Sequence, residues 1–142
     1  MSYALSATLD LPYGATLGLV RDALADQGFG ILTEIDLQAT LKKKLGVDIA
    51  PQVILGACNP PLAHTALQAE PSIGLLLPCN VVVRSTPDDT TTIVEAIDPQ
   101  TMVALTANPA LQKVADDASR RLNAALNSLT ADPTIGDPDG SA

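Results

Sequence analysis

The sequence is poor in aromatic residues and in histidine. Aromatic residues make up 2% of the chain (Tyr3, Tyr13 and Phe29), tryptophan is absent, and His64 is the single histidine. The core must therefore be built from aliphatic side chains. Proteins that bind single-stranded nucleic acid stack bases on aromatic rings, and a Ser-His-Asp arrangement needs a histidine beside its nucleophile. We expect neither activity here.

Basic residues are also scarce. Eight lysines and arginines stand against sixteen acidic residues, for a formal net charge of -8. The one basic cluster, Lys42 to Lys44, falls in the last turn of a predicted short helix, where cations counter the helix dipole. Nucleic acids and anionic membrane surfaces both require a basic face, so we expect neither as a partner.

No apolar run approaches the roughly 20 residues of a membrane span. The first residues, Met1-Ser2-Tyr3-Ala4, lack the basic and apolar regions of a signal peptide. We therefore expect a cytoplasmic protein, in a compartment that keeps thiols reduced. In that setting we expect Cys58 and Cys79 to be free thiols, a redox pair or ligands in preference to a structural disulfide.

What is present is a regular alternation of apolar segments and turn residues that predicts an α+β fold of one compact domain over residues 3–130. The expected order is β-α-β-α-β-α-β-β-α, with a mixed or partly antiparallel sheet of about five strands in two or three layers. Residues 131–142, rich in Pro, Gly and Asp, are expected to form a disordered acidic tail. Strands are predicted at 3–10, 29–35, 51–58, 75–84 and 91–97, and helices at about 15–27, 37–45, 60–70 and 109–129.

Local signals support several of these boundaries. Asp36 is a predicted N-cap, and Gly46 ends the same helix. The last two strands should form a hairpin across the turn at Pro87. Pro78 falls inside the predicted fourth strand, and since proline cannot donate to a ladder, it indicates an edge, a bulge or a register break.

The segment Gly56-Ala57-Cys58-Asn59-Pro60-Pro61 places a thiol directly before a predicted helix, with Asn59 as N-cap and Pro60 at the first helical position. A helix N-terminus stabilises a thiolate. Pro60 and Pro61 have no N–H, so the nearest free donors would be those of Leu62 and Ala63. The alternative is that Cys58 is a small apolar residue packed at a strand end.

Cys79 lies in a similar context, Leu77-Pro78-Cys79-Asn80. By strand parity it would share a face with Leu75, Leu77, Val81 and Val83, which favours core packing. If the third and fourth strands are neighbours, the two thiols could come close, but sequence does not establish the Cα separation of about 7 Å or less that a disulfide requires.

Two further candidates are weaker. His64 is predicted to point away from the apolar face of its helix, and a Cys58, His64 and Cys79 metal site matches no standard zinc spacing. Glu34 and Asp36 flank a strand-to-helix junction, where two carboxylates could perform acid–base chemistry. Asp36 already has a capping role, so the pair is more simply structural.

Three segments together resemble the bacterial and archaeal family called domain of unknown function 302. They are residues 28–36, Ile54-Leu55-Gly56-Ala57-Cys58-Asn59-Pro60, and Gly74 to Val83 with Pro78-Cys79-Asn80 at its centre. The resemblance extends over about residues 3–130. It implies a compact α+β homodimer with no settled activity, and it draws attention to Glu34 together with Cys58, Asn59, Pro60, Pro78, Cys79 and Asn80.

The first hypothesis is a homodimeric binding module that is non-enzymatic or weakly catalytic, with a cleft for an unknown small molecule lined by Cys58, Asn59, Pro60, Pro78, Cys79 and Asn80. The alternatives are a thiol-based redox or sulfur-relay protein using Cys58 and Cys79, with Glu34 as a further catalytic candidate, and a metal or haem binder using Cys58, His64 or Cys79. In a fourth, purely structural interpretation, the cysteines pack a dimer interface. The sequence does not identify a cofactor.

Overall fold

Alternating aliphatic and polar residues along the strands give the sheet two different faces. The computed structural model describes residues 2–131, in which five strands form one antiparallel sheet in the order β1-β5-β4-β3-β2. The strands are β1 (Ala4–Leu9), β2 (Gly30–Asp36), β3 (Gln52–Cys58), β4 (Cys79–Ser85) and β5 (Thr92–Ile97). The helices are α1 (Tyr13–Asp26), α2 (Leu37–Leu45), α3 (Pro60–Ala69), α4 (Gln100–Thr106) and α5 (Gln112–Ala131), with short 3-10 segments at Pro71–Leu76 and Pro109–Leu111.

One face of the sheet is buried beneath α1 and α5. The buried strand residues are aliphatic and alternate in sequence: Val53, Leu55 and Ala57; Val81 and Val83; Val94 and Ala96. Val20 and Leu24 of α1, with Leu122 and Leu126 of α5, cover them. Each buried valine or leucine among them contributes roughly 1.5–3 kcal/mol by leaving water. The aliphatic core and the α+β class predicted from the sequence are confirmed, and the arrangement has two layers.

The opposite face of the sheet keeps its apolar side chains partly exposed. Strand register places Ser6, Glu95, Val82, Ile54 and Ile35 in one row across all five strands. Arg84 and Glu95 form an ion pair at 2.9 Å on this face. We call this surface the open face.

A second, smaller apolar core lies beyond one end of the sheet. It joins α3, both 3-10 segments, α4 and the start of α5 through Ala66, Ile73, Met102, Leu111 and Val114. Asn108 adds a polar tie, because its side-chain amide donates to Ala69 O and Glu70 Oε1, each at 3.0 Å. Together these contacts position the site described below.

The predicted caps are confirmed. Asp36 Oδ1 accepts from Ala39 N at 2.9 Å, and Gly46 ends α2 in the left-handed region at φ 69°. Asn59 Oδ1 accepts from Leu62 N at 3.2 Å, with Pro60 at the first position of α3. The hairpin of β4 and β5 is confirmed as well.

The prediction of a strand over residues 75–84 is wrong at its start. Residues Pro71–Leu76 form a 3-10 helix, β4 begins at Cys79, and Pro78 precedes the strand after a cis Leu77–Pro78 peptide bond. Leu75 is 88% exposed, so it does not share the buried face of Cys79, Val81 and Val83. A run of aliphatic residues does not by itself distinguish a buried strand from an irregular segment.

The sequence prediction also lacked α4, whose seven residues are too few to show a period. Asp98 starts it by accepting from Gln100 N at 2.9 Å. The last helix begins at Gln112 rather than near Pro109, because residues Pro109–Leu111 form a 3-10 turn. The predicted tail after Ala131 lies outside the described residues and stays a prediction.

Gly56 is required by close packing at the centre of the sheet. A Cβ atom there would lie 2.1 Å from Thr33 Oγ1 and 2.8 Å from Pro78 Cγ. Thr33 can rotate its hydroxyl away, but the proline ring has no comparable freedom. Any side chain at residue 56 must therefore displace the segment that leads into β4.

We expect Gly56→Ala to lower the free energy of unfolding by about 1–3 kcal/mol, because added volume strains a packed interior. Urea titration checks this. Gly18→Ala is the matched control: no atom lies within 4 Å of the position that the new methyl group would occupy, and alanine in a helix is favoured by about 0.5–1 kcal/mol over glycine. Equal stability of the two variants would contradict the packing role of Gly56.

Candidate functional site

A cleft of about 520 Å³ opens at the end of the sheet, beside the second core. Its walls come from the first 3-10 segment, the start of β4, the end of β5 and α4. Thirteen residues line it: Tyr3, Leu75, Leu76, Leu77, Pro78, Cys79, Asn80, Ile97, Pro99, Thr101, Met102, Ala104 and Leu105. The volume is in the range of small-molecule sites.

The walls of the cleft are held apart by the second core. Ile73 of the first 3-10 segment is fully buried, and Met102 of α4 is buried as well. Residues 75–78 lie between buried Ile73 and the start of β4. Because both of these ends are held in place, residues 75–78 form one wall of the cleft. The site is thus built from a segment whose end was predicted to be strand and from a helix that the sequence did not predict.

The rim of the cleft exposes large apolar side chains to solvent. Leu75 is 88% exposed, and Leu105 and Tyr3 are each 71% exposed. Isolated exposed leucines are common, whereas these three large apolar side chains border one concave space.

The lining carries no Asp, Glu, Lys, Arg or His. Asp98, which lies between the lining residues Ile97 and Pro99, directs its carboxylate to the N–H of Gln100. The Thr101 hydroxyl donates to Asp98 O at 2.7 Å, which leaves its oxygen free to accept. Asn80 supplies an exposed side-chain amide with both donor and acceptor groups.

A smaller inner cavity lies directly behind the cleft. The two share Leu77, Pro78, Cys79 and Met102 as a common wall. Cys58 and Asn59 line only the inner cavity. Both cysteines therefore border one apolar space, and Cys79 borders the cleft as well.

Burial, with a smaller contribution from the neighbouring Cys58, raises the pKa of the Cys79 thiol from its ordinary value near 9 to about 11. The residue is 8% exposed. Since the thiolate is the reactive form, Cys79 is an uncharged and weakly nucleophilic wall at neutral pH.

Cys58 is half-buried at the end of β3. The donors that were expected to be free near its sulfur are already used. Leu62 N–H donates to Asn59 Oδ1 at 3.2 Å, and Ala63 N–H donates to Asn59 O at 2.9 Å. Pro60 and Pro61 have no N–H, so residues 60–63 of α3 leave no unused backbone donor beside Cys58.

The structure brings together most of the motif residues that the sequence singled out. Pro78, Cys79 and Asn80 line the cleft, and Cys58 and Asn59 line the inner cavity with Pro78 and Cys79. Pro60 begins α3 without lining either space. Glu34 is on β2, where it forms an ion pair with Arg21 of α1, and it lines neither space.

His64 is exposed on α3, as predicted. Within residues 2–131 no group of three or more His, Cys, Asp or Glu side chains is arranged to hold a metal ion. Cys58, His64 and Cys79 are therefore not gathered into a metal-binding set.

The residues that sequence reasoning missed are those of the opposite wall. Thr101, Met102 and Leu105 come from α4, and Tyr3 comes from the segment before β1. The sequence offered one sign of this wall. Met102 and Leu105 are three residues apart, which places them on the same side of a helix, but α4 was not predicted.

Fold and site define a small α+β protein with an uncharged apolar cleft at the end of an antiparallel sheet. The chain belongs to the family described as domain of unknown function DUF302, whose family model matches residues 5–129. The crystal structure of an uncharacterized conserved DUF302 protein from Bacillus stearothermophilus is similar, with a TM-score of 0.81 and 30% sequence identity. The similarity covers 89% of this chain and 98% of that one.

These similarities confirm the resemblance to the DUF302 family that the three sequence motifs indicated. No curated protein matches this sequence. Among the described helices, none is long and apolar enough to cross a membrane.

The different environments of the thiols predict an order of reaction. We expect iodoacetamide near pH 8 to modify Cys58 of the native protein and to leave Cys79 unmodified, because burial keeps Cys79 protonated until about pH 11. Mass spectrometry of the intact and digested protein checks this, with Cys58→Ser as the control that should take up no label when native. Rapid labelling of Cys79 near pH 8 in the folded protein would contradict the burial of this thiol and its raised pKa.

Proposed function

We propose that this protein is a binding module for a small apolar molecule, which occupies the cleft between the first 3-10 segment and α4. The observation that carries the proposal is a cleft of about 520 Å³ without a charged lining residue, rimmed by exposed Leu75 and Leu105. Apolar sites with a few polar groups are typical of small-molecule binding. The motif residues Pro78, Cys79 and Asn80 form one wall of it.

A catalytic role has less support from the geometry. In the redox or relay alternative Cys58 is the thiolate and Cys79 the resolving thiol, but burial raises the pKa of Cys79 and so disfavours its reactive form. Glu34 is engaged with Arg21 away from the cleft. We therefore propose binding rather than a thiol redox or sulfur-relay reaction.

Binding of the neutral fluorophore N-phenyl-1-naphthylamine tests the site. We expect saturable fluorescence enhancement with the wild type, and at least about a tenfold weaker affinity for Leu105→Lys, because an ammonium at the rim makes burial of an apolar ligand costly. Leu105 is 71% exposed, so the substitution leaves the core intact.

Leu45→Lys is the matched control. Leu45 is 69% exposed and lies on α2, outside the cleft. Unchanged affinity in this variant with loss in Leu105→Lys supports the proposal. Equal affinity in all three proteins, or no binding by the wild type, would refute it.

We further propose that two copies associate through the open face. Ile54 and Val82 are neighbours at the centre of this face and remain partly exposed. Arg84 and Glu95 neutralise one another there, so the face can be covered without leaving a net charge buried. The resemblance to the DUF302 family, which implies homodimers, supports the same assembly.

We expect sedimentation analysis to show a dimer for the wild type and a monomer for Val82→Lys, because the substitution places an unpaired ammonium at the centre of the apolar row. Leu67→Lys, on the exposed side of α3, should remain dimeric. A wild type that is monomeric from micromolar to millimolar concentration, or a dimeric Val82→Lys, would contradict this interface.

A further inference from the structure

We infer that the occupant of the cleft is uncharged and amphiphilic: a carbon-rich chain or ring that bears one hydroxyl or carbonyl, with this polar group hydrogen-bonded to Asn80. The inference rests on the proposed binding function and adds the chemical class of the ligand. Three separate features of the cleft lead to it.

The first feature is the absence of any counter-charge. An ionised ligand group that leaves water without a partner incurs a large desolvation cost. None of the thirteen lining residues is Asp, Glu, Lys, Arg or His. The neighbouring Asp98 carboxylate does not line the cleft and accepts at Oδ1 from Gln100 N, and the Arg84 guanidinium on the open face is paired with Glu95 at 2.9 Å.

The second feature is the position of the polar groups. Asn80, Thr101 and the hydroxyl of Tyr3 are the polar side chains of the lining, apart from the thiol of Cys79. Asn80 is exposed, and its amide offers donors and an acceptor. Thr101 retains an acceptor after donating to Asp98 O. These neutral donors and acceptors match a ligand hydroxyl or carbonyl group, because such a group needs only one uncharged hydrogen-bond partner.

The third feature is the shape of the apolar part. Leu75 and Leu105 reach out from the rim, while Met102 and Cys79 form the floor that divides the cleft from the inner cavity. Cys79 remains protonated at neutral pH, so the floor is uncharged. The apolar surface thus continues from the rim to the floor, as a carbon chain or fused ring requires.

Decanol, decanoate and decylammonium provide a direct test, because they share one chain and differ in charge. Displacement of N-phenyl-1-naphthylamine near neutral pH reports their affinities. We expect decanol to bind at least about tenfold more tightly than either ion. The ions lose their hydration without gaining an oppositely charged partner, which is a large cost that decanol does not incur. In Leu105→Lys the new ammonium at the rim can pair with a carboxylate, so we expect decanol to lose its advantage over decanoate and to keep its advantage over decylammonium.

Asn80→Asp places a carboxylate at the proposed position of the polar group. In this variant we expect decylammonium to become the tightest of the three ligands and decanoate the weakest. Asn127→Asp, on the exposed surface of α5, is the control for the same change in net charge and should keep the wild-type order.

The outcomes separate this inference from the proposed function. If the fluorophore binds the cleft but decanoate or decylammonium displaces it as well as decanol does, or no member of the series displaces it, the neutral class is wrong and the binding function stands. If Asn80→Asp keeps the wild-type order, Asn80 is not the polar contact. If the fluorophore itself does not bind, both proposals fail together.

Discussion

The small core beyond the end of the sheet is the interaction on which the candidate site depends. Ile73 and Leu111 are fully buried there, and Ala66 and Met102 complete the contact among four separate segments. Without this burial the 3-10 segment and α4 would have no fixed separation. The cleft exists because Ile73 anchors one wall while Leu75 and Leu77, its neighbours in sequence, face the cleft.

The main core sets the other limit on the site. Val81 and Val83 on β4 pack beneath α1 and α5, which fixes where β4 begins. Gly56 on β3 then allows Pro78 to approach closely enough to lead into that strand. As a result Cys79 turns toward the helices, whereas Asn80 turns toward the open face and the cleft. Cys79 is therefore buried in the wall between the cleft and the inner cavity, whereas Cys58 at the end of β3 is only half-buried.

Charge is distributed in a way that agrees with a neutral ligand. The chain carries a net charge of -8, yet no charged residue lines the cleft. Acidic side chains near the site serve as caps or pair with cations, as Asp98 and Glu95 do. An uncharged apolar molecule can enter such a site without a compensating ion, and a second copy on the open face would meet a surface whose charges are already paired.

Sequence alone determined the elements whose signals are local. Caps at Asp36 and Asn59, the stop at Gly46, the long amphipathic helix and the β4–β5 hairpin depend on residues close together in the chain. The motif cysteines were found in the same way. Tertiary structure decided what periodicity could not: that residues 75–78 are a wall and not a strand, that a seven-residue helix faces them, and that the donors beside Cys58 are occupied. These features depend on contacts between residues far apart in sequence, and such contacts leave no regular pattern in it.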